Sequence, residues 1–167
     1  MIRVLLVFLC FTGLAAQAQI NNQCVDSNRI NPYYQCNEPT FNPVCGCNNV
    51  TYRNGCEMTN IGGVNYPSQY ENGVCSNDGF YYFISPIPAT DKINFSMQFA
   101  ANQETSVTVQ IIDIYGYLVF SQNYTNISTY PTTPQSIYLR DLKTGVYTFV
   151  VLAGGQYRYT KFLKYTY

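Results

Sequence analysis

Six cysteines, Cys24, Cys36, Cys45, Cys47, Cys56 and Cys75, crowd the first half of the chain, and none follows as far as Tyr167. A seventh, Cys10, lies in an apolar N-terminal run. An even, dense set in an exported chain reads as a disulfide framework. Zinc or iron–sulfur ligation would need Cys-x-x-Cys pairs or histidines, and the sequence has neither. No metal or cofactor is therefore expected. Six cysteines allow fifteen pairings, and spacing does not choose among them. It disfavours one bridge, because Cys45 and Cys47 flank a single residue and their union would be severely strained.

Export is read from the N-terminus. Arg3 supplies a positive charge, residues 4–14 form an apolar run too short to cross a bilayer as a mature helix, and Ala16-Gln17-Ala18 fits a small-x-small cleavage site. A signal peptide over residues 1–18 is expected, cut after Ala18. Lipid attachment at Cys10 is the alternative, but bulky Phe8 and Leu9 stand where that processing wants small residues. No other apolar stretch is long enough to span a membrane.

Charge narrows the function classes. Lys plus Arg equals Asp plus Glu, so nothing in the bulk charge draws the chain to nucleic acid. Histidine is absent, which removes the commonest general base and the commonest metal ligand. The cysteines are expected to be paired, no phosphate-binding glycine loop occurs, and Asp26, Glu38, Glu57, Glu71 and Asp78 scatter through loop-like sequence. An enzyme is not expected.

The end of the cysteine region is also a change of composition. Residues 19–78 are rich in turn formers, such as Asn31-Pro32, Asn42-Pro43, Asn48-Asn49 and Gly62-Gly63. Such a stretch cannot build a large apolar core and depends on covalent staples. Residues 79–167 alternate instead. Ile93, Phe95, Met97 and Phe99 interleave with polar residues, as do Val107, Val109 and Ile111. Further strands are expected at 80–84, 117–122, 136–139, 146–152 and 156–163, with turn signals at Tyr115-Gly116, Thr144-Gly145 and Gly154-Gly155. Seven short strands without a helical period predict an antiparallel β-sandwich, and Gly154-Gly155 predicts a tight hairpin.

Two family resemblances attach to these regions. The run Asn42-Pro43-Val44-Cys45-Gly46-Cys47-Asn48-Asn49-Val50-Thr51-Tyr52-Arg53-Asn54-Gly55-Cys56, closed by Gly73-Val74-Cys75, resembles the Kazal-type serine protease inhibitor signature in its P-V-C-G-C variety. The resemblance implies a small α+β disulfide module with bridges Cys24–Cys47, Cys36–Cys56 and Cys45–Cys75. It also implies a short helix over 57–61, stopped by Gly62-Gly63. Its function would be substrate-like inhibition of an extracellular serine protease by a loop containing Asn37, Glu38, Pro39, Thr40 and Phe41, supported by Asn54 and Tyr52. Eight residues separate Cys36 from Cys45, one more than is usual in the family. Counting forward from Cys36 makes Glu38 the specificity residue, and counting back from Cys45 makes it Pro39. Proline beside a scissile bond fixes φ and removes a backbone donor, which suits few serine proteases. A non-inhibitory surface interaction or spacer module is the competing reading.

In the second region, Ser85-Pro86-Ile87-Pro88-Ala89-Thr90-Asp91, then Asp113-Ile114-Tyr115-Gly116, then Leu142-Lys143-Thr144-Gly145-Val146-Tyr147, then Lys161-Phe162-Leu163-Lys164 resemble four ordered blocks of type IX secretion sorting domains. Pro86, Pro88, Asp113, Gly116, Gly145, Tyr147, Lys161 and Lys164 carry the match. The resemblance implies recognition by outer-membrane secretion machinery and removal by a sortase-like peptidase, with a cut expected between Cys75 and Tyr82. The product would be secreted or attached to the outer surface of a Gram-negative bacterium. Arg158, Lys161 and Lys164 are read as a basic patch offered to a receptor.

Overall fold

The computed structural model describes residues 23–38, 40–65, 70–100, 105–127 and 134–166. The signal peptide expected at 1–18, and Pro39 of the loop, lie outside the described residues.

In the cysteine-rich region three short strands, β1 (Val44–Gly46), β2 (Thr51–Tyr52) and β3 (Tyr70–Asn72), form an antiparallel sheet in the order β2-β1-β3. A helix, α1 (Gly55–Asn60), follows β2. Bridges join Cys24 to Cys47, Cys36 to Cys56 and Cys45 to Cys75. Val44, Met58 and Val64 are buried, with Val25, Tyr52 and Tyr70 packed against them. So small an apolar cluster leaves the bridges to carry much of the order. The helix begins two residues before the expected Glu57. Asn54 supplies its N-cap, accepting from the Glu57 amide at 3.0 Å, and Asn-x-x-Glu is a start signal that the turn-rich composition obscures. Gly63, at φ 66°, reverses the chain after the helix.

The second region is all antiparallel. Strands β4 (Phe80–Ser85), β5 (Lys92–Phe99) and β8 (Gln135–Tyr138) form one sheet in the order β4-β5-β8. Strands β6 (Thr105–Ile112), β7 (Leu118–Ile127), β9 (Gly145–Ala153) and β10 (Gln156–Lys164) form the other, in the order β10-β9-β6-β7. Ile93, Phe95, Met97 and Phe99 face Val107, Val109, Ile111, Phe149 and Val151 across the core, with the Phe95 and Phe149 rings 5.6 Å apart. Gly154 and Gly155, both at positive φ, close the β9–β10 hairpin. Strand β7 runs further than expected, because its polar stretch pairs with β6 as an edge strand and Tyr124 of that stretch packs on the core.

The cysteine module lies on the outer side of the three-stranded sheet, so the chain has three layers. Phe41 stacks on Tyr81 with ring centres 6.1 Å apart. Ser96, which pairs with Phe83 on β4, is almost fully buried. At the junction, Asp78 accepts from the Thr51 hydroxyl of β2 and, at 3.1 Å, from Arg158 of β10. The Thr51 hydroxyl oxygen in turn accepts from the Cys75 amide at 2.9 Å.

Candidate functional site: the loop between Cys36 and Cys45

The loop begins at the Cys36–Cys56 bridge to α1 and ends at the Cys45–Cys75 bridge in β1. Asn37, Glu38 and Thr40 are exposed, and Phe41 is half-buried against Tyr81. Asn54 stands behind them, 2% exposed. Its side-chain amide donates to the Glu38 carbonyl at 3.3 Å and to the Thr40 carbonyl at 3.2 Å. One side chain thus ties the loop on both sides of Pro39 while capping the helix. The Asn42 amide donates to the Arg53 carbonyl at 3.0 Å, and the Gly73 amide to the Pro43 carbonyl at 2.8 Å. A segment held at both ends and from behind binds with little further loss of freedom.

Tyr52 sits elsewhere. It packs in the module core against Gly62, where an added Cβ would lie 2.4 Å from its ring, and its hydroxyl accepts from Asn48 at 2.8 Å. These contacts shape the module core, and the Tyr52 backbone pairs with Val44 at the end of the loop. Arg53 and Glu57 were not singled out from sequence. They form an ion pair at 2.9 Å, and Glu57 also accepts from the Arg53 amide at 3.2 Å. The Asn54-x-x-Glu57 spacing was the available signal.

Strand register puts the four blocks of the second region at one end of the sandwich. Ala89 bridges to Lys164, donates to the Leu163 carbonyl at 2.8 Å and accepts from Tyr165 at 3.0 Å, which seats the Pro86 and Pro88 segment beside β10. Asp113 accepts from the Tyr115 and Tyr117 amides, both at 2.9 Å, and Gly116 takes φ 88° in the same turn. Gly145 opens β9 opposite Lys164. The Tyr147 hydroxyl donates to the Lys143 carbonyl at 2.9 Å, in the manner of a tyrosine corner.

The basic patch does not form as expected. Lys161 is exposed, but Lys164 falls on the inward side of β10 with Phe162 and is fully buried, its ammonium donating to the Tyr165 carbonyl at 3.4 Å. Strand alternation puts 162 and 164 on the core side and 161 and 163 outside. Arg158 is engaged at the junction, donating to the Asp78 carbonyl at 2.7 Å as well as to its carboxylate. Within the stretch where the cut is expected, between Cys75 and Tyr82, the chain makes a turn and then enters β4. Asp78 donates to the Cys75 carbonyl at 2.9 Å, and Phe80 to the Asp78 carbonyl at 2.8 Å.

Residues 31–62 match the Kazal-type serine protease inhibitor domain. Residues 83–164 match the secretion system C-terminal sorting domain. The chain joins a Kazal-type domain to a type IX sorting domain. The bridges of Cys24 and Cys75 extend the Kazal-type framework beyond the matched residues. A sorting domain of this kind marks proteins exported by type IX secretion to the cell surface or the extracellular space, and the Kazal-type domain is a non-catalytic, inhibitor-like fold. No curated protein matches the chain. Two solved structures of the Parabacteroides merdae beta-glucuronidase, one with glycerol in its active site, are similar at 13% identity and a TM-score of 0.35. The similarity covers 59% of this chain and 15% and 14% of theirs, so the chain spans only about a seventh of the enzyme's length. Likeness that slight has no bearing on function. Among the described residues, no helix is long and apolar enough to cross a membrane.

Proposed function

We propose that the chain is an exported Kazal-type inhibitor that offers residues 37–41 to an extracellular serine protease. The observation carrying this reading is Asn54, which holds the Glu38 and Thr40 carbonyls from behind. A loop shaped before it meets the enzyme enters the cleft in extended form, as a substrate does. If the protease serine attacks the scissile carbonyl, the leaving end stays tethered through Cys45 and can rejoin. Glu38, exposed at the crest, is the specificity residue in this reading and asks for a basic pocket. In this reading the chain acts as an inhibitor rather than an enzyme, in keeping with the non-catalytic Kazal-type domain at residues 31–62.

The export half of the reading is supported by the convergence of the four blocks at one end of the sandwich. That end would be read by the secretion machinery, and a sortase-like peptidase would remove residues 79–167 from the module of 19–78. The product would be secreted or held at the cell surface.

The test is inhibition by the full mature chain, made in an oxidising compartment and shown by mass to carry three disulfides. Subtilisin-like, elastase-like, chymotrypsin-like, trypsin-like and Glu-specific serine proteases form the panel. Stoichiometric inhibition lost on Glu38→Ala supports the proposal. Indifference across the panel, or digestion within 37–41, retires it in favour of a surface interaction or spacer module. The longer loop and Pro39 favour that second reading.

A further inference from the structure

Strand β4 carries aromatic side chains on both faces. Phe80, Tyr82 and Ile84 enter the sandwich core, whereas Tyr81 and Phe83 point away from it. The outer face of a two-sheet sandwich needs no aromatic pair, and a strand apolar on both faces is one buried on both faces. The cover over Tyr81 and Phe83 is the Kazal-type module. Phe41, closing the loop, stacks on Tyr81 with an interplanar angle of 13°. The Arg53 guanidinium lies 4.6 Å above the centre of the Phe83 ring. Its buried Nε has no hydrogen-bond partner among the described residues, so the ring face takes the place of an acceptor.

Both contacts reach the loop's own supports. Phe41 is a loop residue. Arg53 accepts the Asn42 amide through its carbonyl and directly precedes Asn54. The chain of Arg158, Asp78 and Thr51 holds the two domains together at the junction.

We propose that β4 of the sorting domain is a second support for the loop, with Tyr81 beneath Phe41 and Phe83 beneath Arg53, so that the attached sorting domain sets how firmly the loop is held. Its consequence for inhibition rests on residues 37–41 being the protease contact, as proposed above; the support itself does not. A module parted from β4 loses both aromatic seats. Its loop then moves more freely, binds more weakly and is cut faster. Tyr81 and Phe83 are positioning residues, because each acts through a residue of the module.

Hydrogen exchange on the full mature chain tests this without any protease. In Tyr81→Ser, and separately in Phe83→Ser, the Asn42 amide should exchange about tenfold faster, the factor that corresponds to 1.4 kcal/mol. Amides of β6 and β9, such as Val109 and Val151, should keep their wild-type rates, which establishes that the sandwich is intact. Tyr81→Phe keeps the ring and should restore wild-type exchange at Asn42. Unchanged exchange at Asn42 in both serine variants, with the sandwich intact, overturns the proposal. So does equal acceleration in Tyr81→Phe, because the stacked ring would then not be what matters. A chain that inhibits nothing in the panel still gives a clear answer, so the two proposals fail separately.

Discussion

Asn54 performs two tasks with the two ends of one amide. Its oxygen caps α1 and its nitrogen holds two loop carbonyls, so substitutions separate the roles. Asn54→Asp keeps an acceptor for the cap but loses the donors. It should leave helix stability near wild type while the loop loosens and becomes the first site cut in limited proteolysis. Asn54→Ala removes both and should cost about 1–3 kcal/mol in denaturant unfolding, from the lost cap and the lost bonds to the two loop carbonyls. Tyr81 provides a second probe at this scale. Burial, followed by the Glu57 carboxylate, pushes its phenol up to about 12. With the folded value above the unfolded one, stability is fully present below pH about 10 and falls as pH rises from there to about 12. Tyr81→Phe should flatten that part of the profile. The difference in phenolate absorbance between the two proteins should show one tyrosine titrating late.

At the scale of elements, β10 decides which lysine matters and how. Lys161 faces solvent and Lys164 faces the core. Lys161→Ala should shift unfolding by no more than about 0.5 kcal/mol, whereas Lys164→Ala should cost about 1–3 kcal/mol by stripping a buried aliphatic stem. Equal effects in denaturant melts would contradict this placement. The alternation of β5 and β6 was legible because the buried face of each is apolar and the other is polar. Strands β1, β2 and β3 were not, since two or three residues are too few to show a period and their pairing joins distant segments. The Kazal bridges were legible only through the family resemblance, because spacing leaves many pairings open.

For the whole molecule, the two domains differ in what holds them. The sandwich has a continuous apolar core, while the module has a small cluster and three bridges. Reducing the disulfides should therefore unfold the module and leave the sandwich. Far-UV circular dichroism should keep its β signal after reductant, while amide protection is lost over 24–75 and retained in β6 and β9. Loss of protection in both domains together would mean that the sandwich cannot stand without its outer layer.

The division into a stapled module and a β-sandwich, and seven of the strands, can be read along the chain, because cysteine density, turn signals and period-two alternation are local features. The sequence also held, in the Kazal-type signature, the asparagine that supports the loop. The burial of Lys164, the joining of β2 to β10 by Asp78, and the packing of the module on Tyr81 and Phe83 emerge only when the chain is folded. Each of these depends on which surfaces meet across long separations in sequence. The run Phe80-Tyr81-Tyr82-Phe83-Ile84 reads as a strand from its sequence, but what lies against its outer face does not.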